Sequence, residues 1–207
     1  MNFMNIDHIE LKKAIHKSQH CQRNWDLSKE ISKDDLDLLK TAATQCPSKQ
    51  NIAHYNVHFV TNRDIIEKIH DQTKGFRGYQ TNSQVLANLL IVLEHRPVKE
   101  HKNLFQFDKS VVDNMKTELF LRDAHMAVGV AAGYLNIMAT LLGYSTGCCA
   151  CFNNNNIKEI LNLQNDILLM MGIGFKNSNV NRRIHHLDSS FVFPAIKKEE
   201  IKVNYYS

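Results

Sequence analysis

A short turn between a predicted helix and a predicted strand carries an unusual density of polar residues. The stretch TQCPSKQN (44–51) ends an apolar helical run and leads into the alternating stretch YNVHFVTN (55–62). Proline cannot continue a helix, and the Ser, Lys, Gln and Asn side chains offer many hydrogen-bonding groups beside free backbone amides. Two interpretations follow: an ordinary turn, or a cradle for a ligand rich in hydrogen-bonding groups.

Other chemically reactive residue types give weaker signals. The chain has eleven histidines, but His185 and His186 are adjacent and no HxH or HExxH spacing occurs, so we expect no metal site. The run CCAC (148–151) lacks a second CxxC, and its thiols are expected to be small buried side chains. No P-loop, GxSxG or GxGxxG follows a predicted strand, which removes the main support for a hydrolase or a Rossmann enzyme.

Hydrophobic periodicity predicts the elements that would position these residues. Predicted helices follow the caps Asp7, Ser32 and Asn62, and others cover residues 108–121, 126–144 and 156–163. Predicted strands cover residues 55–61, 88–95 and 166–175, and a loop covers 75–83. Helices dominate and the few strands must share one sheet, which predicts an α+β fold.

The stretch MAVGVAAGYLNIMATLLGY (126–144) is nearly apolar for almost the length that a bilayer requires. We interpret it as a buried central helix and not as a membrane span, because it is rich in Ala and Gly and contains Asn136 and Thr140. The mean hydropathy of the chain is also negative, at -0.33. Small residues would let another element, or a second copy of the chain, approach this helix closely.

Composition limits the class of protein. No linker or repeat divides the 207 residues, so we expect a single domain over 1–207, ending in a long, weakly patterned tail. A formal charge of +4 is too small and too scattered for a nucleic-acid surface. The N-terminus has no signal-peptide pattern, and the five cysteines do not suggest a disulfide framework. Together these features predict a cytoplasmic protein.

The order of the polar motifs resembles that of the nitroreductase family of FMN-dependent oxidoreductases. HCQRNW (20–25) is followed by CPSKQN (46–51), then by LGYSTGCCACF (142–152) after the long apolar helix, and finally by MGIGF (171–175) and NRR (181–183). The resemblance covers most of the chain. It implies a central mixed or antiparallel sheet flanked by helices, a long apolar central helix, and a homodimer with FMN at its interface.

The resemblance also implies a cofactor site. The phosphate-gripping segment falls on His20 and Cys21, and the closing basic pair falls on Arg182 and Arg183. The cradle along the flavin ring falls on a turn whose matching residues are Pro47, Ser48, Lys49 and Asn51. Arg23 is the basic residue near flavin N1 and O2, and a segment near N5 falls on Cys149, Ala150 and Cys151. Of these, Arg23, Ala150 and Cys151 are the expected catalytic residues.

The implied activity is transfer of electrons from NAD(P)H to a small organic acceptor, such as a nitroaromatic, a quinone or an enone, by a ping-pong hydride mechanism. Planar arginines suit the dianionic phosphate, and a carboxamide such as Asn51 can bind both donors and acceptors of the pyrimidine edge. Two alternatives share the same cradle. One is a flavin-binding protein without nicotinamide turnover, and the other is a reductive dehalogenase or flavin-fragmenting enzyme on the same scaffold.

Overall fold

The computed structural model of the chain describes residues 7–74, 82–97 and 117–206. The described helices are α1 (His8–Ser18), α2 (Lys33–Thr44), α3 (Arg63–His70), α4 (Thr117–Leu141) and α5 (Asn154–Leu161). The described strands are β1 (Tyr55–Val60), β2 (Leu89–His95), β3 (Ser145–Cys149) and β4 (Ile167–Gly174). Residues 75–81 of the predicted loop at 75–83 and residues 108–116 of the predicted helix at 108–121 lie outside the described residues.

The three predicted helix caps are confirmed. Asp7 accepts a hydrogen bond from the backbone amide of Ile9 at 2.8 Å. Ser32 accepts one from Asp35 at 3.1 Å, and Asn62 accepts one from Ile65 at 3.1 Å. Each cap satisfies an amide that the first helical turn would otherwise leave without a partner.

The predicted single sheet is also confirmed, with the strand order β1-β2-β4-β3 and antiparallel pairing throughout. The central strand β2 is buried on both faces because alternate side chains point to opposite sides. Ile91 and Leu93 pack toward α2 and α4, whereas Leu90 and Val92 pack toward α3 and α5. The sheet therefore lies between two helical layers, in an α+β fold.

Strand β3 was not predicted: residues 145–149 lie between the predicted helices at 126–144 and 156–163 and were assigned to neither. This segment pairs in register with β4, from Ser145 opposite Gly174 to Cys149 opposite Met170. It contains a single β-branched residue, Thr146, so its strand conformation depends on pairing with β4 and not on local preference.

Two separate helices were predicted at 108–121 and 126–144, whereas α4 runs without a break from Thr117 to Leu141. It is buried on one side instead of all round. Ala124, Ala131 and Leu135 are buried against the rest of the protein. Met126 and Tyr134 lie about half exposed on the opposite side. By length and composition α4 could cross a membrane, and 39% of its most apolar window is buried inside the protein. Its contacts with α1, α2 and the sheet are those of a core helix with one open face.

Candidate functional site

The N-terminal segment that follows α1 lies against β3. Cys21 forms a parallel bridge with Thr146, and the amide of Gln22 donates to the carbonyl of Thr146 at 2.8 Å. Gly147 makes this approach possible, because a Cβ at that position would lie 2.6 Å from the carbonyl oxygen of Gln22. The pairing covers the outer edge of β3 and fixes the backbone that carries His20, Cys21 and Arg23.

The buried side chain of Asn24 attaches the C-terminal segment to this N-terminal segment. Its carboxamide nitrogen donates to the carbonyl of Asn181 at 2.8 Å and to that of Ile184 at 3.0 Å. The carbonyl of Asn24 accepts from the amide of Asn177 at 2.9 Å. Arg182 then reaches the carbonyl of Cys21, to which its Nη1 donates at 3.3 Å. Residues far apart in the sequence are thus held side by side.

Together the two segments form a cleft of about 750 Å³ with a positive lining, which we call the basic cleft. It is lined by His16, Gln19, His20, Cys21, Arg23, Arg182, Arg183 and the tail residues Pro194 to Glu199. Arginine and histidine side chains are well suited to an anionic group, above all a phosphate. Five predicted cofactor residues, His20, Cys21, Arg23, Arg182 and Arg183, lie in this one cleft.

Arg23 is fixed by an aromatic residue of the tail. Its guanidinium carbon lies 4.2 Å from the centroid of the Phe193 ring, within the range of a cation–π contact. The backbone amide of Phe193 donates to the carbonyl of Arg183 at 2.7 Å, which holds the ring in place. The Nε atom of Arg23 is buried and has no hydrogen-bond partner among the described residues. A buried donor without a partner is a position where a ligand oxygen would compensate the cost of burial.

Burial and the positive charges of the cleft shift the pKa values of His20 and Cys21. Partial burial lowers the pKa of His20, and the positive charges of Arg182 and His16 lower it further. Burial raises the pKa of the Cys21 thiol, although Arg23, the backbone of Cys148 and Arg182 act in the opposite direction. Cys21 is therefore a neutral thiol near pH 7, able to donate to a phosphate oxygen but not to act as a nucleophile.

The turn that contains Pro47, Ser48, Lys49 and Asn51 has an unusual backbone. Gln50, Asn51 and Ala53 all adopt left-handed φ values, of 53°, 58° and 51°, although none is glycine. The hydroxyl of Ser48 accepts from the amide of Ala53 at 2.9 Å, and the Asn51 side chain is exposed. Left-handed non-glycine residues concentrate at ligand sites, where the surrounding structure maintains the strain.

The turn and the basic cleft lie at different positions along α4 of the same chain. Lys49 donates to Asp123 Oδ2 at 2.6 Å, near the start of α4. Asn136, thirteen residues further on, donates to the carbonyl of Ser18 at 3.0 Å and contacts Thr146 beside the cleft. At 1.5 Å per residue the two anchor points are roughly 20 Å apart along the helix axis. Within one chain, the described contacts do not bring the two halves of the predicted cofactor site together.

The CCAC segment ends β3 and turns away from the sheet. Cys149 is buried, and burial raises the pKa of its thiol to about 11, so this thiol is inert. Ala150 and Cys151 are exposed. The carbonyl of Cys151 accepts from the amide of Lys74 at 2.8 Å and from Asn82 Nδ2 at 3.2 Å. The backbone of this turn is therefore well fixed, and Lys74 and Asn82 set its position.

Four residues that shape the site were missed in the sequence: Asn24, Asp123, Gly147 and Phe193. Asn24 lies within the HCQRNW motif and Gly147 within the STG stretch, so both were close to residues already singled out. Their roles depend on a pairing between distant segments, which no local pattern reveals. Among the described residues, no group of three or more His, Cys, Asp or Glu side chains is arranged to hold a metal ion.

Comparison with known proteins agrees with this architecture. The family model for the nitroreductase family matches residues 17–175, which is most of the chain. No curated protein gives a significant sequence match.

Among solved structures, ydfN from Bacillus subtilis superposes with a TM-score of 0.72 at 17% identity, over 97% of this chain and 100% of that chain. A protein from Exiguobacterium sibiricum 255-15, solved in complex with FMN, gives 0.67 at 15% identity over 96% of each chain. A candidate NAD(P)H:FMN oxidoreductase from Staphylococcus epidermidis ATCC 12228 gives 0.68 at 16% identity, over 87% of this chain and 92% of that chain. At these identities the likeness concerns the fold, and the family match adds membership: the chain belongs to the nitroreductase family and has its fold.

Proposed function

We propose that this protein is an FMN-dependent oxidoreductase of the cytoplasm that transfers electrons from NAD(P)H to a small organic acceptor of the nitroaromatic, quinone or enone type. Membership of the nitroreductase family supports a flavin oxidoreductase. The observation that carries the cofactor assignment is the basic cleft, in which two distant segments bring Arg23, Arg182 and Arg183 together. The co-substrate and the acceptor class rest on the family resemblance.

The residues of the cleft fit the phosphate end of FMN. A phosphate dianion needs planar, charged donors, and Arg182 and Arg183 supply them from the tail while His20 and Cys21 line the same cleft. The buried Nε of Arg23 has no partner among the described residues and offers a donor beyond the phosphate, toward the flavin ring. If the basic cleft holds one terminal phosphate, as proposed, the cofactor is FMN and not FAD.

The ring of the flavin would lie between the cleft and a polar turn. Pro47, Ser48, Lys49 and Asn51 would form this cradle, with the exposed Asn51 carboxamide bound to the pyrimidine edge. Backbone groups of Cys149, Ala150 and Cys151 would lie near N5. Arg23 would lie near N1 and O2, where a fixed cation stabilises the negative charge that develops on reduction. When bound, FMN supplies the redox chemistry, and the protein orients it and leaves one face open to the two substrates.

A homodimer would bring a polar turn and a basic cleft together, although the two lie far apart along α4 within one chain. If the turn of one chain faces the cleft of its partner, each flavin is bound by both chains. The open face of α4 offers a suitable interface, because Met126, Val130 and Tyr134 are exposed at helical spacing. Gly129 and Gly133 lie between them, and a Cβ at either position would meet nothing within 4 Å. Small residues on such a face permit close approach of a second helix.

The tail supports the same assembly. Ile201, Val203 and Tyr205 are 70%, 68% and 93% exposed, and they alternate along a segment that is neither helix nor strand. Alternating apolar residues of this kind are suited to packing on another surface. A second copy of the chain is the partner we propose for them.

Purification and titration test the proposal. The protein is expected to be isolated yellow, with bound FMN and not FAD, and to sediment as a dimer at micromolar concentration. Apoprotein titrated with FMN should quench the flavin fluorescence, and steady-state assays with NADH, NADPH and a panel of nitroaromatics, quinones and enones should reveal the acceptor class. Apoprotein that binds no FMN at tens of micromolar would overturn the proposed function, and a monomer with bound FMN would overturn the shared site.

A further inference from the structure

The polar turn is a strained segment that needs external support. Gln50, Asn51 and Ala53 are left-handed, a conformation that is costly for Gln and Ala and less so for Asn, and that neighbouring contacts must maintain. The local contacts are limited. The amide of Asn51 donates to the carbonyl of Ser48 at 3.0 Å, and the hydroxyl of Ser48 accepts from the amide of Ala53 at 2.9 Å. Such contacts close the turn on itself but do not fix its position on the protein.

An ion pair with α4 supplies this position. Lys49 Nζ lies 2.6 Å from Asp123 Oδ2, and the lysine side chain is 49% exposed whereas the aspartate is 5% exposed. A buried carboxylate is costly unless it is paired, and Lys49 is its closest cation. Arg122 lies further away, with Nη2 3.7 Å from Asp123 Oδ1. The burial of Asp123 therefore favours the position of Lys49 seen here over the many other rotamers open to a half-exposed lysine.

The ionisation of Asp123 agrees with this role. The hydrogen bond from Lys49 lowers its pKa, burial acts in the opposite direction, and the charges of Lys49, Arg122 and His54 lower it further. The aspartate is thus charged throughout the neutral range. Oδ1 of Asp123 has no hydrogen-bond partner among the described residues, which leaves Lys49 as the main compensation for the buried charge.

We infer that Asp123 is a positioning residue of the cofactor site: it fixes Lys49, and through Lys49 the strained backbone that presents the Asn51 carboxamide to the flavin. This role rests on the proposed FMN function. Asp123 itself does not touch the cofactor in this arrangement. Its loss should weaken FMN binding by releasing the turn, while the basic cleft at the other end of the site keeps its structure.

A double-mutant cycle on FMN affinity tests the inference. The variants are Asp123→Asn, Lys49→Met and the two combined, each titrated as apoprotein with FMN by fluorescence quenching. Each single substitution should raise the dissociation constant for FMN roughly tenfold. The combined variant should be no weaker than the weaker single variant, because both changes remove the same contact. Lys49→Arg retains the charge and should restore most of the affinity.

Matched controls separate positioning from general destabilisation. Asp166→Asn breaks another lysine–aspartate pair, with Lys158 at 3.3 Å, in a different part of the protein, and should leave FMN affinity unchanged. Thermal unfolding of each apoprotein reports stability: a purely structural pair would lower the unfolding temperature and leave the affinity of the folded apoprotein unchanged. Wild-type affinity in Asp123→Asn, or fully additive losses in the combined variant, would overturn this inference but leave the proposed function standing. Wild-type apoprotein without FMN binding would overturn both the inference and the proposed function.

Discussion

The basic cleft and the polar turn are built in opposite ways. The cleft joins segments that are about 160 residues apart in sequence, since Arg182 Nη1 donates to the carbonyl of Cys21 with a separation of 161 positions. Its supports are backbone hydrogen bonds, the side-chain hydrogen bonds of Asn24 and Arg182 to carbonyls, and one close contact at a glycine. The turn is instead closed by bonds within residues 48–53, and among the described residues the ion pair of Lys49 with Asp123 joins it to α4. The cleft therefore depends on contacts between distant segments. The turn depends on a strained local backbone whose position is set by the ion pair of Lys49 with Asp123.

This difference predicts different responses to substitution. A change that separates the paired segments should dismantle the cleft as a unit, because each of its cationic residues depends on the same alignment. A change at the turn should leave the fold intact and alter only the presentation of Asn51. The expected effects are largest at the cleft and smallest at an exposed thiol.

Gly147→Val should have the largest effect. The added Cβ would lie 2.6 Å from the carbonyl oxygen of Gln22 and 3.1 Å from Cβ of Gln84, so the N-terminal segment must move. Overpacking of this kind costs about 1–3 kcal/mol of stability. Since His20, Cys21 and Arg23 follow the displaced backbone, FMN affinity should fall roughly a hundredfold, equivalent to about 2.8 kcal/mol. Thermal unfolding and FMN titration measure the two effects.

Gly147→Ala should show the same two effects to a smaller degree, and Ser145→Ala, which adds no atom to the strand, should show neither. Wild-type FMN affinity in Gly147→Val would mean that the pairing of the N-terminal segment with β3 does not form the phosphate end of the site.

The elements that could be predicted are those whose signal is local. The caps Asp7, Ser32 and Asn62 were found because each side chain bonds an amide only two or three residues away. Strands β2 and β4 were found because they are continuous apolar runs. Strand β3 could not be recognised, because Ser145, Gly147 and Cys148 have no strand preference and extend only by pairing with β4.

The same distinction applies to the candidate site. Family resemblance, and not a local pattern, indicated that His20, Cys21, Arg23, Arg182 and Arg183 belong together, and their role in binding a cofactor stays a prediction. Asn24, Gly147 and Phe193 could not be assigned in advance, because their roles are defined by carbonyls and rings that come from elsewhere in the chain. Asp123 was missed for the same reason, since it lies 74 positions from Lys49.

Arg23→Ala tests the cleft at the residue assigned to the chemistry. A charged hydrogen bond contributes about 1.5–3 kcal/mol, so flavin reduction by NAD(P)H should slow roughly ten- to a hundredfold if most of it acts in the transition state. The midpoint potential should become more negative, while oxidised FMN stays bound through the phosphate and Asn51 contacts. Stopped-flow reduction and a redox titration measure these changes.

Arg23→Lys should recover much of the rate because it retains the charge, although it loses the planar stack on Phe193. Arg122→Ala, which removes an arginine whose side chain is 63% exposed, is the matched control and should change neither rate nor potential. An unchanged reduction rate and potential in Arg23→Ala would remove Arg23 from the reacting end of the site.

At low pH the basic cleft should lose its structure before the polar turn does, because ring contacts between histidines hold the C-terminal segment against α3. The rings of His70 and His186 are 4.8 Å apart and those of His185 and His186 are 4.6 Å apart, with Arg63, Asp71 and Asp188 as the nearby charges. Burial lowers the pKa of His70, and burial with the charges of His70 and His185 lowers the pKa of His186 to about 4. Unfolded histidine titrates near 6.5, so the unfolded chain binds more protons below that pH and stability falls from pH ~6.5 toward ~4.

His186→Phe should remove about 1–2 kcal/mol of this acid destabilisation, because it keeps an aromatic ring but cannot be protonated. Urea unfolding at pH 7 and pH 5 gives the difference for each variant. His8→Gln replaces an exposed histidine and should follow the wild type. An equal loss of stability in wild type and His186→Phe between these pH values would exclude the histidine contact as the acid-sensitive element.

The smallest effect is expected at Cys151, whose backbone and not its thiol is assigned to the flavin site. The side chain is exposed, and the contacts that fix this residue are those of its carbonyl with the Lys74 amide and with Asn82. Cys151→Ala keeps both, so stability should change by less than about 0.5 kcal/mol and turnover by less than roughly twofold. Cys149→Ala is the contrasting variant: it removes a buried sulfur that accepts from Asn82 Nδ2 at 3.4 Å, and it should lower the unfolding temperature. If Cys151→Ala retained FMN but lost turnover, the exposed thiol would be a participant in the chemistry, and the turn after β3 would act through a side chain instead of its backbone.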